Sequence, residues 1–242
     1  MARPDGEPAP GTLGRPGRPG RPGRRRWWPE PLAWLIVIAG GFAIASAFDS
    51  PVHGYFVGKP SPKNNLSEML DFAGWFPTWL IVGVALMLVD LARRRRQGLW
   101  PVLDRGLLVI TAAGLSGLLA EGLKLTFRRL RPPPSSEAWT GVYEFRPWHI
   151  QPFDVGGLGL PSSHVAVAFG AAVAMALMYP TAIPVWAFLA IGCGVARVIV
   201  AAHFVSDAFL GACCGALVAR LIWHWHRTHS TQPLRPLTMS GD

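Results

Sequence analysis

Six apolar stretches constrain this 242-residue chain more than any other feature of its sequence. They run near Leu32 to Phe48, Phe76 to Leu91, Trp100 to Leu123, Ser163 to Tyr179, Ala182 to Val200 and Phe204 to Trp225. Each approaches the roughly 20 residues that a helix needs to cross a hydrocarbon layer about 30 Å thick. In lipid, every backbone N–H and C=O must find its partner within the protein, and a helix satisfies them within one segment. Half of the residues are hydrophobic and 15% are charged, which is more apolar material than one soluble core of this size uses. The expected fold is therefore all-α, a polytopic membrane helical bundle of about six transmembrane helices.

A formal net charge of +9 would suit a nucleic-acid partner, but the location of the charge speaks against one. Seven of the 23 basic residues lie in the first 26 positions, and four more form the run Arg93 to Arg96. Both groups abut apolar stretches, where cytoplasmic loops of membrane proteins collect Lys and Arg. This assigns both termini and the Arg93 to Arg96 loop to the cytoplasm. It puts the segments 49–75 and 128–160 and the junction Ala201 to His203 on the other side. Residues 1–28, with the Gly-Arg-Pro repeat of Gly14 to Arg26, read as a disordered basic tail, because they lack the apolar side chains of a core. The membrane domain is expected at 29–226 and a cytoplasmic C-terminal tail at 227–242. The first stretch follows a basic segment as a signal peptide would, but no convincing small-residue cleavage site precedes Asp49, so it is expected to be a retained signal anchor.

Several residue groups that could suggest metal or redox chemistry have a simpler reading. Cys193, Cys213 and Cys214 lie inside apolar stretches and behave as small hydrophobes. His224, His226 and His229 have no second ligand group beside them. No metal and no cofactor is expected. Trp139, Tyr143, Phe145 and Trp148 in the 128–160 loop either lie along an acyl chain or rest at the membrane interface.

The 128–160 loop and its approach carry Lys124, Arg128, Arg129, Arg131 and Arg146 on the side where basic residues are disfavoured, so another reason must hold them there. Ionisable side chains at membrane depth mark functional sites. Here they gather at one level. Lys124 and Arg131, seven apart, can share a helix face before Pro132 ends the helix and can clamp a phosphate. Pro161-Ser162-Ser163-His164 has the composition of a turn into a helix, whose free N–H groups and dipole favour an anion. His203 and Asp207, four apart, can pair so that the carboxylate fixes one imidazole nitrogen and leaves the other to attack. Arg197 is six before His203, so a helix break is expected near Ala201 and Ala202.

Together, Lys124-x6-Arg131-Pro132, Pro161-Ser162-Ser163-His164 and Arg197-x5-His203-x3-Asp207 resemble the three-part signature of the type 2 phosphatidic acid phosphatase superfamily. The chain departs from it twice: Ser163 stands where the family usually has Gly, and Ala196 where it usually has Ser. The resemblance implies a membrane lipid phosphatase acting by double displacement on a lipid phosphate. His203 would attack phosphorus with Asp207 as its partner, and His164 would serve the leaving oxygen and then water. Lys124, Arg131, Ser162, Ser163 and Arg197 would hold the phosphoryl oxygens, taking the place of a metal. The topology set by the basic clusters puts this site on the outward side, and the expected location is the bacterial inner membrane.

Three competing functions share parts of this pattern. Vanadium-dependent haloperoxidases carry a similar anion pocket but are soluble. A lipid-to-lipid phosphotransferase would use the same phosphohistidine. A transporter or channel would spread its charges through the bilayer depth, and apart from Glu121 and Asp90 these charges lie near one surface. The lipid itself is not legible: phosphatidate, phosphatidylglycerol phosphate, a polyprenyl diphosphate and a lipid A phosphate all present a terminal phosphate.

Overall fold

A computed structural model describes residues 31–59, 65–93, 100–134 and 136–229. The basic tail, most of the Arg93 to Arg96 run and the residues after 229 lie outside these. Seven α-helices occur among the described residues: α1 Pro31–Phe56, α2 Asn65–Phe72, α3 Phe76–Arg93, α4 Trp100–Phe127, α5 Ser163–Met178, α6 Ile183–Ile199 and α7 Val205–His229. Among the described residues, pairing of extended backbone is limited to two isolated bridges in the α4–α5 loop, Arg129 with Phe145 and Leu130 with Leu158. The chain is all-helical, as its apolar runs require.

All six apolar stretches are helical, but they are not six equal spans. Among the described residues, four helical segments are long and apolar enough to cross a membrane: Leu32–Phe56, Asp104–Phe127, Pro180–Ile199 and Val205–His229. A fifth arises if Asn65–Phe72 and Phe76–Ala92, which meet at 66°, are one broken span. Helix α5 has 16 residues, roughly 24 Å, and is too short to cross alone. The 49–75 segment also differs from the loop expected there, since α1 continues to Phe56 and α2 lies within it.

Burial explains the role of α5. It packs against α4, α6 and α7, and its buried residues include Ala166, Ala168, Gly170, Ala171, Ala172 and Ala174. Small side chains let helices approach closely where lipid supplies no hydrophobic drive between them. At Gly170, a Cβ would collide with the Ser116 side chain and the Ala112 carbonyl of α4. Trp79, Leu108, Val109, Val167, Met175 and Trp223 fill the layer below. The outer helices instead expose Leu35, Ile36, Ile81, Leu88 and Leu118, a surface suited to acyl chains.

The order of the helices positions the site. Helix α4 ends at the level where α5 begins, and α6 ends where α7 begins. Residues at the ends of α4 and α6 and at the starts of α5 and α7 therefore meet at one end of the bundle.

Candidate active site

His203 lies in the turn before α7 and not on the helix itself. Ala201 adopts φ +53°, and the Ala202 N–H closes back on the Arg197 carbonyl at 3.1 Å, so the break falls at the expected residues. His203 is 2% exposed, and its Nδ1 stands 3.5 Å from Asp207 Oδ2. The two are at ion-pair distance, yet Nδ1 has no hydrogen-bond partner among the described residues. Asp207 Oδ2 accepts instead from the Phe204 N–H at 2.9 Å, so the carboxylate also caps the start of α7. Burial holds the imidazole below its ordinary range while Asp207 pulls the other way, and Arg131 and Arg197 lower it further. A neutral imidazole results at neutral pH, the form with a lone pair to attack.

Lys124 is buried and donates from Nζ to Glu121 Oε1 and to Ser163 Oγ, both at 2.9 Å. The hydroxyl at the position where the family usually has Gly is thus tied to the lysine. Ser162 is fully buried. Its hydroxyl accepts from the Val165 N–H at 3.5 Å, and its own N–H donates to the Asp207 carbonyl at 3.0 Å, which ties the start of α5 to the start of α7. Half-buried His164 follows on the first turn of α5.

Arg131 is not on the helix of Lys124. Helix α4 ends at Phe127, and Arg128 takes φ +55°. Arg128 then turns inward, donating to the carbonyls of Arg146, Pro147, Ile150, Gln151 and Pro152. These backbone acceptors draw the chain out of the helix before Pro132 can end it. Arg131 sits on the extended segment that follows, its N–H donating to the Gly157 carbonyl at 3.0 Å. Burial and the facing Arg197 lower the affinity of its guanidinium for the proton, against the pull of Asp207 and Glu121. The two arginines are thus brought together from different segments.

Arg197, near the end of α6, donates from Nη1 to both oxygens of Asp71 on α2, at 3.1 and 3.3 Å. Beside this pair opens a cleft of about 270 Å³ lined by Glu68, Asp71, Phe72, Trp75 and His164. Gly74 brings the α2–α3 break close, since a Cβ there would lie 2.8 Å from the Cβ of His164 and from Cys193 Sγ.

Four contributors were not singled out as site residues by sequence reasoning. Asp71 belongs to a short helix inside an expected loop. Asp49, 1% exposed, accepts from the Ser206 N–H at 2.9 Å and from the Tyr143 hydroxyl at 2.8 Å. Ser206 and Asp207 both receive Nη2 of Arg129, at 2.6 and 2.5 Å. The surplus of basic residues in the outer loop was the available signal for Arg129. The loop aromatics divide: Trp139 and Tyr143 pack on Phe204, with ring centroids at 4.7 and 5.4 Å, while Trp148 and Phe145 remain exposed. Elsewhere Asp90 pairs with Arg105 at 3.5 Å, and His229 Nδ1 lies 3.0 Å from the Trp225 carbonyl.

The sequence profile of the PAP2 superfamily matches residues 105–230, just over half of the chain. This chain belongs to the PAP2 superfamily. The match begins on α4 and includes every signature residue named above. Among characterised relatives, the lipid A 1-phosphatase of Rhizobium johnstonii is 30% identical over 179 residues, covering 70% of this chain and 69% of that protein. The lipid A 1-phosphatase of Rhizobium etli is 30% identical over 198 residues, covering 76% and 82%. A transmembrane PAP2-type phosphatidylglycerolphosphate phosphatase from Bacillus subtilis shares the fold, with a TM-score of 0.57 and 20% identity over 81% of this chain and 97% of that one. The protein is an integral-membrane member of a lipid phosphatase family, and a phosphorylated lipid fits it as substrate.

Proposed function

We propose that this PAP2 protein hydrolyses a lipid phosphate through a phosphohistidine at His203, on the non-cytoplasmic face of the bacterial inner membrane. The observation that carries the reading is a buried imidazole with Nδ1 3.5 Å from Asp207, beside Lys124, Arg131 and Arg197. Nδ1 faces the carboxylate, so Nε2 attacks phosphorus as the P–O bond to the lipid breaks. His164 gives its proton to the departing oxygen. In the second step His164 takes a proton from water, whose oxygen attacks phosphorus and frees His203 and inorganic phosphate. The phosphoryl oxygens carry negative charge throughout, and the three cations together with the Ser162 and Ser163 segment stabilise it in place of a divalent metal.

The cleft beside His164 suits the leaving alcohol. Its walls combine Trp75 and Phe72 with the carboxylates of Glu68 and Asp71, which would repel a second phosphate and accept hydrogen bonds from hydroxyls. A glycosyl phosphate of the lipid A 1-phosphate kind matches these walls and the two rhizobial relatives better than a lipid diphosphate does.

Free phosphate release by the purified protein from lipid A 1-phosphate, phosphatidylglycerol phosphate, phosphatidate and a polyprenyl diphosphate, each supplied alone, tests this. The expected order has lipid A 1-phosphate first; diphosphate first would reject the sugar reading, and turnover that requires a second lipid and leaves the phosphate on that lipid instead of freeing it would make the protein a phosphotransferase. The orientation is tested with an impermeant thiol reagent. An engineered cysteine between Trp139 and Trp148 should react in intact cells, and reaction only after permeabilisation would reverse the assignment.

A further inference from the structure

We infer that Arg129 is a positioning residue for the nucleophile, clamping one oxygen of Asp207 so that the other faces His203. The inference rests on the reading of His203 and Asp207 as the nucleophilic pair. Asp207 is fully buried, and each of its oxygens is assigned. Oδ1 accepts from Arg129 Nη2 at 2.5 Å, and Oδ2 accepts from the Phe204 N–H at 2.9 Å while standing 3.5 Å from His203 Nδ1. Rotation of the carboxylate would break one of these contacts. Gly159 closes the remaining side, since a Cβ there would lie 2.8 Å from Oδ2.

Arg129 in turn is held through Nη2 and by two aromatic rings, while its Nε has no hydrogen-bond partner among the described residues. Its side chain is 3% exposed, and the guanidinium lies 4.5 Å from the Tyr143 ring centroid and 5.3 Å from that of Phe204. The nitrogen that binds Asp207 also donates to Ser206 Oγ at 2.6 Å, and the Ser206 hydroxyl donates to Asp49 Oδ2 at 2.5 Å. The Ser206 N–H reaches the other Asp49 oxygen at 2.9 Å, and the Tyr143 hydroxyl adds 2.8 Å to Asp49 Oδ2. A continuous buried chain therefore runs from Asp49 of α1 through Ser206 and Arg129 to Asp207. With Nη2 engaged by Ser206 and Asp207 and two rings against it, Arg129 is built as a clamp on the carboxylate, not as a phosphate ligand. Its charge also matters, because a buried carboxylate without a cation is costly and would draw a proton onto its neighbour.

The groups facing His203 are Asp207 from α7, Arg131 from the loop, Arg197 from α6 and His164 from α5. Loss of the Arg129 charge leaves the field of Asp207 on the imidazole less compensated. This favours imidazolium, so the acid limb of the rate profile moves to higher pH.

The test compares Arg129→Gln and Arg129→Lys with the parent, each with Asp207 intact and with Asp207→Asn, by steady-state kinetics on one lipid phosphate and by radiolabel trapped on His203. In Arg129→Gln, kcat should fall about 10- to 100-fold, the size of a charged hydrogen bond, with KM changed less than about twofold. The acid limb should rise by about one pH unit. In the Asp207→Asn background the same substitution should lower kcat less than about threefold, because its target is gone. Arg129→Gln also weakens the buried network, so Arg129→Lys, which keeps the charge and one donor, carries the test if the glutamine variant does not fold. It should recover most of the lost kcat at unchanged KM. An equal loss in both backgrounds with an unmoved acid limb would overturn the inference, as would a raised KM at unchanged kcat in the lysine variant. Label on His203 in the parent with undiminished labelling in Arg129→Gln sinks the inference alone. No label on His203 in the parent sinks the nucleophile reading and the inference with it.

Discussion

The two sides of the candidate site are built differently. On one side His203, Asp207, Arg129, Ser206 and Asp49 are all nearly or wholly buried and joined by hydrogen bonds of 2.5 to 2.9 Å apart from the 3.5 Å histidine contact. On the other, Lys124 is held by Glu121 and Arg197 by Asp71, two carboxylates that are 37% and 40% exposed. A buried network with every oxygen engaged resists rearrangement. A half-exposed ion pair contributes roughly 0 to 1 kcal/mol and exchanges readily. The contrast teaches that the proposed nucleophile is set before substrate arrives, whereas two of the cations proposed to bind phosphate, Lys124 and Arg197, are held by more exposed carboxylates.

The strongest way to break that contrast is at the nucleophile. His203→Ala should lower turnover by at least about 10⁴-fold and eliminate covalent phosphate, as removal of a nucleophile does elsewhere. Acid-labile, base-stable label trapped on the protein measures it. His164→Ala should cost about 10² to 10⁴ in rate, the usual worth of a general acid, and should spare labelling in part with a leaving group that needs no protonation. Label retained in the first variant and absent from the second would exchange the two roles.

The exchangeable side is sharpened by a smaller effect. Asp71→Asn removes the carboxylate from Arg197 and should tighten competitive inhibition by inorganic phosphate about two- to fivefold, in line with an exposed pair. Weaker inhibition would mean that Asp71 holds Arg197 in its working position. The smallest expected effect is none. Chelation should leave activity unchanged if Lys124, Arg131 and Arg197 supply the positive charge as proposed; activity lost to chelator and restored by magnesium would reject the cationic site.

Legibility in the sequence followed the range of the interactions. Local signals were readable: apolar runs gave helices, the six-residue spacing of Arg197 and His203 placed a break near Ala201 and Ala202, and the spacing of His203 and Asp207 put them within reach of each other. Arg131 shows where local reasoning failed, because the seven-residue spacing from Lys124 implied a shared helix face. The loop carbonyls that capture Arg128, between 18 and 24 residues downstream, end the helix earlier. Helix α5 shows a second limit, since an apolar run does not reveal whether lipid or other helices surround it.

The sequence by itself determined the all-helical membrane architecture and the three clusters of ionisable residues, because both depend on residue type and on spacing within a few turns of one segment. Only the tertiary structure decided which groups hold those clusters in place. Arg129 reaches Ser206 and Asp207 across 77 and 78 residues, Asp49 reaches Ser206 across 157, and Arg197 reaches Asp71 across 126. Helix periodicity carries no information over such separations. They are set by how the ends of α4, α5, α6 and α7 converge, which the small residues of α5 allow and no single segment specifies.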